Sequence, residues 1–200
     1  MSEIFVPNPK GLILVDIAVD DPALVNRSIV TGRRQIVGQP GAERWFVSVE
    51  IDTLVNELEE RPWRAFVFGL QGVRNWFKYQ VACQCHAGAK PVVAAGAGNG
   101  YSLPLTGMQP STRILEAGQW LTVPLPSGHS RLVCLTSDLV TNAAGAATAL
   151  FNVALNEIPL LGVTVETANP FVPLNSSERR LGLQYSDNLS GANLTLEEAF

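Results

Sequence analysis

Helical periodicity occupies one short stretch of this 200-residue sequence, and everything beyond Gly72 is cut by proline and glycine into pieces too short for crossover helices. Apolar runs near Trp76 to Ala82, Pro91 to Ala95, Gln119 to Val123, Arg131 to Thr136 and Ala146 to Val153 are parted by turn residues, with Ala117-Gly118 and Ala144-Gly145 marking two of the turns. Proline cannot donate to a strand ladder and glycine accepts the positive φ of tight turns, so this punctuation favours strands joined by turns. The expected fold class is mainly β, a sandwich or barrel, with no repeat at a fixed period and no low-complexity segment.

Upstream of Gly72 the period changes. From Glu43 to Ile51 the sequence alternates, with Trp45, Val47, Val49 and Ile51 on one side and Arg44, Ser48 and Glu50 on the other, which predicts a half-buried strand. Leu54, Val55 and Leu58 then recur at helical spacing, Pro62 suits a first helical turn, and Trp63, Phe66, Val67 and Leu70 form one stripe. A packed α-helix is expected over about residues 52–72, with Gly72 closing it from a left-handed position. Glu57, Glu59 and Glu60 form its wet face, with Glu57–Arg61 and Glu60–Arg64 at supportive spacing.

Composition bounds the partners. Hydrophobic residues make up 46% of the chain against 16% charged, which describes a folded globular protein with apolar surface to spare for interfaces. The net charge is −4, and the pairs Arg33-Arg34 and Arg179-Arg180 stand apart, so no basic stripe is expected for sequence-specific nucleic-acid binding. The run Gly11 to Val15 is broken at once by Asp16 and reads as a buried strand rather than a signal peptide or membrane span. Three cysteines, an odd number, predict reduced thiols. Gly, Ala and Pro dominate residues 86–112, a soft boundary that divides residues 1–85 and 161–200 from an inserted β subdomain or long excursion over 86–160, with a single domain as the alternative.

Motifs that carry chemistry fail on inspection. The stretch VVAAGAGNGYSLP, residues 92–104, spaces its glycines G-x-G-x-G, lacks a lysine and leads into proline rather than a helix, so it reads as a loop or an Asn99-Gly100 turn instead of a phosphate cradle. Cys83-Gln84-Cys85-His86, with His129 and Cys134 downstream, is the one cluster with metal-ligand chemistry. Its single-residue spacing is tighter than zinc knuckles use, and core-filling thiols are the preferred reading. Gly128-His129-Ser130 lacks the nucleophile elbow. No catalytic, cofactor-binding or metal-binding residue is assigned, and the chain is read as a non-enzyme needing no cofactor.

The order of several pieces resembles a known family. These are Ser28-x-x-Thr31-Gly32, Gln35 and Pro40-Gly41-x-x-Arg44-Trp45, then Trp63-x-Ala65-Phe66-x-x-x-Leu70-x-Gly72-x-x-Asn75-x-Phe77. Leu115-x-Ala117-Gly118-Gln119-Trp120-Leu121, Arg131 through Asp138, and Gly145-x-Ala147-Thr148 running to Phe151 continue the series, with an echo in Thr195 to Phe200. Together they resemble the distal tail proteins of long-tailed bacteriophages over roughly residues 27–155. The segment Val153 to Glu157 departs from the family's Pro-rich or Arg-containing sequence there, and the Cys83/Cys85 pair lies outside the pattern.

That resemblance implies a β-sandwich belt domain with a packed helix, assembled as a homo-hexameric ring at the tail tip. It implies partners in identical subunits, the tail tube protein, and hub and fibre proteins, a place in the virion tail after assembly in the bacterial cytoplasm, and a channel that lets DNA pass. A mildly acidic chain suits a channel that repels phosphates, with carboxylates expected along the bore. The other reading from the residues is a carbohydrate- or receptor-binding β-sandwich in which Trp76, Tyr79, Tyr101 or Trp120 stacks on sugar rings.

Overall fold

The computed structural model describes residues 1–27, 29, 31–85, 88–186 and 189–199. In chain order the strands are β1 (Leu12–Asp20), β2 (Ala23–Arg27), β3 (Arg34–Gly38), β4 (Arg44–Leu54), β5 (Trp76–Gln80), β6 (Val92–Val93) and β7 (Ser102–Thr106). After these come β8 (Arg113–Leu115), β9 (Trp120–Pro124), β10 (Ser130–Cys134), β11 (Leu139–Val140), β12 (Ala147–Leu150), β13 (Phe171–Ser176), β14 (Gln184–Ser186) and β15 (Leu189–Glu198). The α-helix among the described residues, α1, spans Glu57–Gly69. The architecture is thus mainly β, with several sheets and a single packed helix, as the punctuation predicts.

Two compact units divide the chain: Met1–Val19 with Trp45–Val81 and Phe171–Phe200, and Asp20–Arg44 with Ala82–Pro170. The sequence-based segments, 1–85 with 161–200 and 86–160, stand beside this division, which gathers residues 20–44 with the second unit.

In the first unit one sheet runs β1-β4-β15-β13-β5, with β14 also paired to β15. The alternation from Trp45 onward becomes the inner row of β4, where Trp45, Val47, Val49 and Ile51 are buried. The antiparallel register sets Val49 beside Leu194 and Val47 beside Leu196, and Leu174 beside Phe77, so the apolar rows of four strands form one floor. Helix α1 covers it with Trp63, Phe66 and Val67, joined by Leu70 at its C-cap, all buried. Phe66 meets Trp63 and Phe77 edge to face, at ring-centroid distances of 5.7 and 5.1 Å, the arrangement that aromatic quadrupoles favour. Gly11 fits beneath Trp63: a Cβ there would lie 2.7 Å from Trp63 Cζ2.

Two helix expectations need correction. The strand period persists through Leu54, which is buried as the last residue of β4, whereas Val55 and Leu58 are exposed rather than part of a helical stripe. The helix begins later because Asn56 caps it: Asn56 Oδ1 accepts the Glu59 N–H at 3.0 Å, and Glu59 reaches back to accept the Val55 N–H at 3.2 Å. Pro62 consequently lies inside α1 rather than in its first turn, where it cannot donate to the Leu58 carbonyl. At the far end Gln71 and Gly72 both take positive φ, +51° and +66°, and Asn75 Nδ2 donates to the Gly69 carbonyl at 2.8 Å. A Cβ at Gly72 would meet the Arg179 carbonyl oxygen at 3.0 Å, so glycine answers both the backbone angle and the space there. The pairs Glu57–Arg61 and Glu60–Arg64 form on the wet face as expected.

β1 is a third correction. Gly11 to Val15 does enter a strand, but β1 is the sheet's edge and mostly exposed, with only Leu12 buried. An edge strand lacks neighbours on one side, so a continuous apolar run does not suffice to bury it.

The second unit is built of small antiparallel sheets: β9-β10, β8-β11, β6-β7-β12 and β2-β3. β9 and β10 are buried on both faces, Leu121, Thr122 and Val123 in one and Arg131, Leu132 and Val133 in the other. Leu125 to His129 connect them in a turn over Pro126 and Ser127, with the Gly128 N–H donating to the Leu125 carbonyl at 3.0 Å and the Leu125 N–H to the His129 carbonyl at 2.8 Å. The glycine-rich stretch is likewise a connection, joining β6 to β7 in the antiparallel register Val93↔Leu105, and a strand rather than a helix follows it. No helix among the described residues is long and apolar enough to cross a membrane.

Candidate functional site

The hairpin of β2 and β3 is the part of the second unit whose strands are exposed along their whole length. Its register pairs Leu24 with Val37, Val25 with Ile36, Asn26 with Gln35 and Arg27 with Arg34. Opposed residues share a face and faces alternate, so each face of the ribbon carries one apolar pair. Every residue of both strands is exposed, and the four apolar side chains are between 51 and 64% exposed. Ile29, between the strands, is exposed as well. An isolated two-stranded ribbon gains little from its own burial, and here an apolar pair stays exposed on each face.

Its charge is equally one-sided. Between Ala23 and Gly38 stand Arg27, Arg33 and Arg34 and no acidic residue. Arg27 and Arg34 are directly opposed, an arrangement that like charges disfavour. Asn26, Arg33, Arg34 and Gln35 line a shallow recess, and no carboxylate pairs with the three guanidinium groups among the described residues. In the sequence Arg33-Arg34 stands apart from other basic residues; the cross-strand register brings Arg27 to it. Ser28, quoted in the resemblance, lies outside the described residues.

The same chain segment is fixed at its C-terminal root by a buried polar cluster. Glu43 and Arg131, 2 and 0% exposed, lie 3.9 Å apart at their charged ends. Arg131 Nη2 donates to the Glu43 backbone carbonyl at 2.6 Å. Glu43 Oε2 accepts the Gly41 N–H and Oε1 accepts the Tyr101 hydroxyl, each at 2.6 Å. The carboxylate holds the Tyr101 proton, and with a smaller effect of burial pushes that phenol up to about 12. Nothing in the sequence flags this trio, whose members are 58 and 88 residues apart from Glu43. Buried charges persist when paired and hydrogen-bonded, and these anchor the strap of residues 20–44 to its unit.

The sequence-stretch candidates are scattered. Cys83 and Cys85 are exposed, which corrects the expectation that they fill a core, and Cys134 is half-buried with its thiol pushed up by burial. Gln84 takes the inward place instead. Its Oε1 accepts the Trp120 N–H at 2.8 Å while its Nε2 donates to the Trp120 and Thr167 carbonyls, leaving the two flanking thiols outside. His86 lies outside the described residues, and among those described no group of three or more His, Cys, Asp or Glu could hold a metal ion. His129 belongs to the β9–β10 turn.

The aromatic candidates do not form one platform. Trp76 and Tyr79 of β5 point to opposite faces of their sheet, with Tyr79 buried; Trp120 is half-buried; and Tyr101, the most exposed of the four, is held by Glu43. A further exposed apolar segment runs through Ile158, Leu160 and Leu161, in a turn closed by the Val163 N–H donating to the Leu160 carbonyl at 3.3 Å and tied to β6 by the Gly162 N–H donating to the Val93 carbonyl at 2.9 Å. No protein-family model and no curated protein matches the chain.

Proposed function

We propose that this chain is a structural subunit of a phage tail tip, a ring component that joins identical copies to one another and to tail tube, hub and fibre proteins around a channel permissive to DNA. Three lines support the reading: the ordered motifs over residues 27–155, the mainly β architecture with one packed helix, and surfaces whose chemistry is that of interfaces. The observation that carries it is the β2–β3 hairpin, a ribbon with every strand residue exposed and an apolar pair on each face. A ring subunit must present surface that fits its neighbours, and a short hairpin is an economical way to do so.

Light scattering coupled to size-exclusion chromatography of the full chain, with negative-stain imaging, tests the proposal. A closed ring of identical subunits supports it. A monomer at every accessible concentration that binds a glycan through its aromatic side chains replaces it with the carbohydrate-binding reading.

A further inference from the structure

The hairpin's apolar pairs could be covered by any apolar surface, but its charge narrows the choice. Stacking two hairpins from different copies would gather six arginines around no acid, since each ribbon has three basic residues and none acidic. Of the chain's 14 basic residues these three leave eleven elsewhere, against all 18 acidic ones. The electrostatic complement of the hairpin is therefore the remainder of the same protein, met on another copy.

One element there fits in three respects. β1 is a nine-residue edge strand, and among the described residues its second edge has no partner strand. It bears the exposed apolar side chains Ile13, Val15 and Val19, spaced at even intervals and so on one face. It also carries exposed Asp16 and Asp20, with Asp21 following, and no basic residue or proline that would discourage strand pairing. A long apolar edge of this kind is covered in native assemblies, and an added strand would meet its unpaired N–H and C=O groups.

We infer that the β2–β3 hairpin of one copy adds to the free edge of β1 in the next copy, with Arg27, Arg33 and Arg34 set among the carboxylates of Asp16, Asp20 and Asp21. This rests on the ring-subunit reading and specifies its joint. The contact joins two different surfaces, so it repeats head to tail and closes a ring when the rotation permits. It also resolves the opposed Arg27–Arg34 pair, whose repulsion is relieved by acidic neighbours.

Charge reversal in the full-length chain tests it. Arg27→Glu with Arg34→Glu, and separately Asp16→Arg with Asp20→Arg, should each raise the concentration for half-assembly at least tenfold in light scattering, with thermal midpoints near the parent's. Placing both reversals in one chain should restore assembly, which guards against a variant that merely folds poorly. Assembly that ignores both reversals overturns the inference and leaves the ring reading standing. A parent chain that never assembles overturns both. Loss of duplex DNA binding on hairpin reversal, with assembly intact, would reassign the arginines to nucleic acid and overturn the inference.

Discussion

Helix α1 and the β2–β3 hairpin are both short elements with regularly placed apolar side chains, and they meet opposite fates. Trp63, Phe66 and Leu70 find a floor of buried strands prepared by β4, β15, β13 and β5, whereas Leu24, Val25, Ile36 and Val37 find none in their own chain. Hydrophobic content alone does not separate the two. The difference lies in whether a second layer covers the apolar row, and it separates residues that stabilise the fold from residues that stay exposed.

The largest expected effect falls on the buried side. Trp63→Ala removes the ring that lies over Gly11 and against Phe66, and should lower unfolding free energy by about 3–5 kcal/mol in denaturant titration. A loss below about 1 kcal/mol would mean that the helix does not depend on that face. Arg131→Met comes close behind, at about 3–5 kcal/mol, because it leaves Glu43 buried without its cation. If that variant is as stable as the parent, the strap of residues 20–44 has no need of its ionic anchor.

A smaller effect is readable in pH. Tyr101 should ionise near 12, followed by phenolate absorbance, and Glu43→Gln should bring it back towards the ordinary value of about 10. A raised phenol favours the native state while protonated, so its contribution is intact below about pH 10 and is lost as pH climbs to about 12. Tyr79, raised by burial, and Tyr185, raised by its bond to Glu60, also titrate late, so the parent-minus-Tyr101→Phe difference isolates the signal. The smallest stability change belongs to the hairpin: Leu24→Ser with Ile36→Ser should stay within about 0.5 kcal/mol of the parent while the assembled fraction collapses. A large destabilisation there would erase the contrast between the two elements.

Periodicity made the helix-clad sheet legible. The alternation through Ile51 and the stripe from Trp63 to Leu70 are local patterns, and burial follows them residue by residue. The β4–α1 junction was not legible, because Leu54, Val55 and Leu58 suit either period until Asn56 is seen to cap. Long-range pairing hid the rest. Arg27 joins Arg34 only through a strand register, Glu43 meets Arg131 across 88 residues, and Gln84 takes the inward place between the cysteines because of carbonyls on distant segments. Such coincidences of side chain with side chain leave no period to read.

The Glu43 cluster has a consequence for biosynthesis. Its carboxylate is completed by groups that the ribosome delivers 58 and 88 residues later, so the hairpin's root stays unfastened until Tyr101 and then Arg131 have emerged. On the proposed reading of the hairpin as a joint, that joint is not firmly mounted before Arg131 has emerged, so the order of synthesis would hold back early association.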